Sequence, residues 1–212
     1  KLVFSSTSAT YGIPAVVPID EECAQNPVNP YGHSKLVFEG MLSWFAKAHG
    51  ITPVVFRYFN AAGASTRFGE DRQVETHLIP NVLFVALGKR DSVEVFGTDY
   101  DTPDGSAVRD YVHVCDLAEA HRRAVECQVS GAFNLGTGRG NSVWEVIETC
   151  RKVTGHEIPV VESGRREGDP PVLVAAGHKA ARVLDWAPVN DLEDMVRSAW
   201  AWHKVHPEGY QD

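Results

Sequence analysis

Residues 31–58 read YGHSKLVFEGMLSWFAKAHGITPVVFRY, and this stretch decides the fold class. Leu36, Phe38, Met41, Leu42 and Phe45 recur at helical spacing, Pro30 suits the first turn and His49-Gly50 stops the run, so a helix is predicted from Tyr31 to Ala48. Pro53 to Tyr58 (PVVFRY) then reads as a strand, β-branched and mostly apolar, as in a parallel sheet covered on both faces.

Outward from this unit the alternation continues. Lys1 to Ser6 reads as a buried strand ending in small hydroxyl residues, and Pro14 to Pro30 as a loop. Beyond Tyr58 come a long loop (Asn60 to Asp71), a helix (Leu78 to Leu87), a short strand (Ser92 to Phe96), a polar turn region (Thr98 to Ser106) and a strand (Val108 to Val114). Asp116 is expected to cap a helix over Leu117 to Cys127, a strand spans Ala132 to Leu135, and Ser142 with Glu145 forms a capping box for a helix to Thr154. Short strands are expected over Ile158 to Val161 and Val172 to Ala175, around a charged loop from Gly164 to Pro171, and helices near His178 to Leu184 and Leu192 to Val205. Strands alternating with helices imply an α/β fold with parallel strands, and the mixed later half suggests a smaller lobe against the sheet.

Bulk composition narrows the function classes. Apolar residues make up 43% and charged residues 23% of 212, the balance of an ordinary globular domain. The formal charge of −8 argues against a groove for nucleic-acid phosphates, though it leaves room for a local basic pocket around a small anion. No apolar run is long enough to span a bilayer, and no secretory pattern opens the chain. Cys23, Cys115, Cys127 and Cys150 show no metal-type spacing and read as free thiols in a reducing cytoplasm, with no metal expected.

The chemistry rests on Tyr31 and Lys35, at i and i+4 on one helix face. A tyrosine hydroxyl is too weak a base at neutral pH, but a lysine cation held close stabilises the phenolate, and the pair can then serve as general base and acid. Tyr-x-x-x-Lys alone more often marks an amphipathic surface helix. Here Phe4-Ser5-Ser6-Thr7-Ser8-Ala9-Thr10-Tyr11-Gly12 precedes it at a strand end, where ligands of open α/β sheets bind, and offers a hydroxyl for the same substrate oxygen.

The motifs FSSTSATYG, NPYGHSK, RYFNAAGA, DGSAVRDYVHVCDLAEAH, FNLGTGRGNSV, RREGDPP and WHKVHPEGY, in this order, resemble the extended short-chain dehydrogenases/reductases, and within them the UDP-glucose 4-epimerases. The resemblance implies the C-terminal part of a Rossmann-type parallel sheet plus a smaller α/β substrate-binding lobe. Residues 1–62 would belong to the NAD-binding domain and 63–212 mainly to the UDP-sugar lobe, with about 108–135 returning to the Rossmann sheet. It implies an isomerase using bound NAD, acting on a UDP-hexose (UDP-glucose/UDP-galactose) through a 4-keto intermediate, with a homodimer as the full-length assembly. Tyr31, Lys35 and Thr7 would be catalytic, with Ser8 the alternative hydroxyl, and Tyr31, Lys35, Tyr58, Ser5 and Ser6 would hold the cofactor. Asn60, His77, Leu78, Phe96, Arg109, Arg166 and Asp169 would hold the nucleotide and diphosphate, and Leu173 lies near the position that gates the sugar C2 substituent.

Several features depart from the pattern. The Gly-rich turn that seats a dinucleotide pyrophosphate is not found; Gly136-Thr137-Gly138-Arg139-Gly140 has other spacing and is expected to turn near the uridine. With the apolar strand beginning at Lys1, this suggests a missing N-terminal part and a fragment inactive by itself. Ala176 stands where related sequences often carry Asp, so the following helix is expected to be weakly capped. No acidic pair follows Thr7, which disfavours a 4,6-dehydratase; 4-epimerases of UDP-N-acetylhexosamines or UDP-pentoses, and a non-catalytic sugar-nucleotide-binding relative, stay open.

Overall fold

A computed structural model describes residues 1–210. Three parallel strands, β1 (Leu2–Thr7), β2 (Pro53–Tyr58) and β6 (Gly131–Leu135), form one sheet in the order β1-β2-β6. A second group is built on β5 (Val108–His113), which pairs in parallel with β3 (Asn60–Ala62) and β9 (Val172–Leu173) and antiparallel with β7 (Gly140–Ser142). A third pair joins β4 (Val93–Phe96) to β8 (Val160–Ser163). Of the segment expected to return to the first sheet, β6 joins it, whereas β5 pairs within the second group.

The helix bearing Tyr31 and Lys35, α1, spans Pro30–His49. The Asn29 side chain accepts the Gly32 N–H at one end, and Gly50 takes the left-handed conformation at the other. Gly32 is buried so tightly that an added Cβ would lie 2.4 Å from the Ala9 carbonyl oxygen, and no larger residue could bring Tyr31 this close to the end of β1. The remaining helices are α2 (Leu78–Ala86), α3 (Val114–Glu126), α4 (Val143–Thr154), α5 (His178–Leu184) and α6 (Leu192–Val205). One core packs β2 and β6 against α3 and α5 around Phe56, Phe133, Leu117 and Trp186; another packs α2, α4 and α6 around Leu83, Ile147 and Trp200.

Some local expectations need correction. Helix α3 begins earlier than predicted: His113 is its cap, accepting the Cys115 N–H at Nδ1. Asp116 is buried instead in the first turn, where it accepts from Val189, Asn190 and the Asn190 amide; its value as a tertiary acceptor outweighs its propensity for caps. The glycine-rich segment is a turn around Asp110 followed by β7, a strand hidden by its glycines. Asn60–Ala62, expected as loop, pairs with β5, and the late strands shift to Val160–Ser163 and Val172–Leu173. The N-cap of α5 is Gly177, one residue beyond Ala176, and it offers no side-chain cap. All four cysteines are free, and no helix among the described residues is long and apolar enough to cross a membrane.

A buried ion pair fastens α1 to the sheet. The Arg57 guanidinium on β2 donates to both Glu39 oxygens from Nε and Nη2, with side chains only 7% and 8% exposed. Ser6 and Gln25 also donate to Glu39, and Arg57 Nη1 donates to the Tyr11 hydroxyl, which donates to Asn134. Burial is the largest influence and opposes the Arg57 charge, but the hydrogen bonds and charges of Glu39 and Tyr11 together outweigh it and hold the guanidinium pKa above its ordinary value. Glu39→Ala strands this cation in the interior, so urea denaturation should show a loss of about 3–5 kcal/mol.

Candidate active site

The expected site residues fall into two adjoining groups. At the end of β1 and β2, Lys35 Nζ donates to the Ser5 carbonyl oxygen (3.0 Å) and lies 5.7 Å from the centre of the Tyr31 ring. Tyr31 is 56% exposed. Thr7 is buried and caps the short 3-10 turn Ser8–Thr10, its Oγ1 accepting the Ala9 N–H. Ser5 and Ser6 point oppositely, as neighbours in a strand do: Ser5 Oγ is 2.9 Å from the Tyr58 hydroxyl, whereas Ser6 is buried on Glu39. Ser5 is thus on the Lys35 side, and Ser6 belongs to the ion-pair network behind it.

The second group lines a cavity of about 570 Å³. Asn60, His77, Leu78, Phe96, Arg109, Arg166 and Asp169 all stand in its wall, drawn from β3, β4, β5, the start of α2 and the charged loop before β9. Arg109 is ion-paired to Asp169, and the Arg166 guanidinium carbon rests 3.7 Å from the centre of the Phe96 ring. Leu173 lies opposite Arg109 in the β5–β9 pairing and packs on Tyr11, Ile19 and Phe59 instead of lining the cavity. The glycine-rich turn is also outside the wall, held by its backbone N–H groups to Asp110.

Sequence reasoning missed Asn81, Arg90 and Trp202, which also line the cavity. Asn81 Oδ1 and Trp202 Nε1 are buried without a hydrogen-bond partner among the described residues, a state that native interiors seldom tolerate away from ligand or water sites. A signal for Asn81 was present: it is the polar residue inside the apolar helix LIPNVLFVA.

His77 Nδ1 contacts Glu70 (2.8 Å) and Glu75 (2.9 Å), and the three offer donor atoms within 4.8 Å of one another. The hydrogen bond that His77 donates to Glu70 raises the His77 pKa above 6.5 against its partial burial. Burial works against the Glu70 charge, but hydrogen bonds from His77 and Arg72 prevail and lower its pKa below 4.5.

Residues 1–136 match the model of the NAD dependent epimerase/dehydratase family. The chain belongs to that family. A UDP-glucose 4-epimerase of Halalkalibacterium halodurans is 55% identical over 99% of this chain and 65% of its own length. A crystal structure of a UDP-glucose 4-epimerase superposes with a TM-score of 0.95 at 46% identity, over 99% of this chain and 66% of that one. The Bifidobacterium longum UDP-glucose 4-epimerase, solved in complex with NAD+ and UDP, gives 0.92 at 41% identity, over 98% of this chain and 64% of that one. The chain therefore spans slightly less than two thirds of the length of these relatives.

The opposite shifts of His77 and Glu70 fix a pH window. His77, with a raised folded pKa, stabilises the fold fully below 6.5 and loses that contribution as pH rises through its folded value; Glu70, with a lowered pKa, stabilises above 4.5 and loses it as pH falls. The pair should contribute most between 4.5 and 6.5. An NMR titration should place His77 above 6.5, and Glu70→Gln should bring it down.

Proposed function

We propose that this chain supplies the catalytic and substrate-anchoring part of an NAD-dependent isomerase that inverts C4 of a UDP-hexose, interconverting UDP-glucose and UDP-galactose. The observation that carries this reading is the path of Tyr58-Phe59-Asn60. Tyr58 meets Ser5 at the Tyr31–Lys35 pair, and Asn60 enters the wall of the arginine-lined cavity. One short run of backbone thus joins a proton-transfer pair to an anion site. The close relatives named UDP-glucose 4-epimerase support the same conclusion.

The residues suit the nicotinamide ribose end of NAD. Lys35 gives one N–H to Ser5 and has two more for ribose hydroxyls, Tyr31 is open beside it, and Tyr58 and Ser5 form the floor. When bound, NAD supplies the hydride acceptor and donor for the sugar C4. Tyr31, its phenolate stabilised by the Lys35 cation, takes the proton of the 4-hydroxyl and later returns it, with Thr7 bonding the same oxygen. Arg109 and Arg166 grip the diphosphate oxygens with their planar guanidinium forks, while Phe96 packs the base and Asn60, His77, Leu78 and Asp169 complete the nucleotide site. Anchoring at the diphosphate leaves the hexose free to present either face.

Residues 1–62 would then form the cofactor side, with β6 as a further strand, and the remainder mainly the nucleotide side. A homodimer of the whole protein is part of the proposal: Val37, Met41, Trp44 and Phe45 form an exposed apolar face on α1, suited to a second copy.

Calorimetry on the chain should detect UDP binding, and Arg166→Ala should weaken it roughly 10- to 100-fold through the lost charge-assisted bonds. No binding by the wild type would remove the basis for the reading. In a chimera where these residues replace the matching segment of the Halalkalibacterium halodurans relative, Tyr31→Phe should lower kcat for UDP-galactose by about 10²–10⁴-fold.

A further inference from the structure

His121, on α3, has no part in the site described so far, yet it ends a hydrogen-bonded chain that reaches the catalytic lysine. Its Nδ1 lies 2.9 Å from the Leu117 carbonyl oxygen. A carbonyl only accepts, so Nδ1 carries the hydrogen and, in the neutral ring, Nε2 is an acceptor. Nε2 is 2.8 Å from the Tyr58 hydroxyl, which must then donate to it. With its proton so placed, the Tyr58 oxygen can only accept from Ser5 Oγ, 2.9 Å away. The carbonyl of that same Ser5 receives Lys35 Nζ. One backbone acceptor at Leu117 therefore sets the direction of each bond up to Ser5.

The ring is also fixed by packing, edge-on to Phe56 with centroids 4.9 Å apart. Burial raises the Tyr58 pKa, as does the neighbouring Tyr31, against the lowering hydrogen bond from Ser5, which keeps Tyr58 a neutral O–H donor. Resting on the functional reading above, we propose that His121 is a positioning residue for the Tyr31–Lys35 pair. It commits the Tyr58 proton away from Tyr31 and holds Ser5, the seat of the lysine ammonium, in place. His121 touches neither substrate nor reacting atoms in this scheme and acts only through Tyr58 and Ser5.

Two-dimensional NMR of the 15N-labelled chain tests this without turnover. Long-range nitrogen–proton spectra of the wild type should show the His121 hydrogen on Nδ1. His121→Phe, which keeps the edge contact with Phe56, should shift the Ser5 amide and speed hydrogen exchange of the Lys35 ammonium roughly fivefold. His121→Gln, whose Oε1 can accept the Tyr58 proton, should restore both signals. A hydrogen on Nε2, or a Lys35 signal indifferent to His121→Phe in a folded chain, overturns the proposal. Should His121→Phe fail to fold, the wild-type tautomer and the Gln variant still decide. UDP affinity, measured in parallel, should be the same in all three; absence of UDP binding by the wild type would count against the functional reading alone.

Discussion

The buried Arg57–Glu39 pair is the constraint on which the other features depend. A guanidinium and a carboxylate this far from water are tolerated only when nearly every N–H and lone pair has a partner. Ser6, Gln25 and Tyr11 supply those partners, so the network draws together β1, β2, α1 and the loop between β1 and α1, and through Asn134 also β6. Apolar burial on helix α1 is sparse: besides the Glu39 side chain, only Gly32 and Leu42 are buried, with Phe38 packed on Phe4. Its orientation, and hence where Tyr31 and Lys35 point, follows from charge pairing more than from apolar packing.

A second buried acid plays the corresponding part at the junction of the strand groups. Asp110 on β5 accepts from Thr137 and Gly138 after β6, and from Ala175 after β9. Burial raises its pKa while the bonds from Thr137, Gly138 and Ala175 oppose the shift. These contacts set β5 and the charged loop before β9 relative to the first sheet, and so set Arg109, Arg166 and Asp169 relative to Lys35. The proposed function would need such a pin between the two strand groups, because reaction rates fall steeply when the reacting groups are misplaced by about 1 Å.

The two halves of the site differ in rigidity accordingly. Around Lys35 the bonds form a chain running through Ser5, Tyr58 and His121. In the cavity the arginines have provisional partners: Arg166 lies on the Phe96 ring and Arg109 on Asp169. A guanidinium stacked on an aromatic face can swing to a phosphate at modest cost, since the stacking is worth only about 0.5–2 kcal/mol. These side chains can re-pair around an anion, whereas Lys35 is held on the Ser5 carbonyl.

The sequence by itself determined the α/β class, the helix from residue 31, the strand at Pro53–Tyr58 and the identity of the Tyr-x-x-x-Lys pair, because helical and strand periodicity and capping residues are local properties. It also named seven residues that turn out to share one cavity wall. Tertiary structure alone decided the rest. The local propensity of Asp116 favours a cap, but distant donors at Val189 and Asn190 claim it. The pairing of β5 with β3, β7 and β9, the burial of Ser6 on Glu39, and the polarity of the chain from Leu117 to Ser5 each depend on groups far apart in sequence. Desolvation makes those pairings obligatory, and desolvation is a property of the folded interior that no local pattern records.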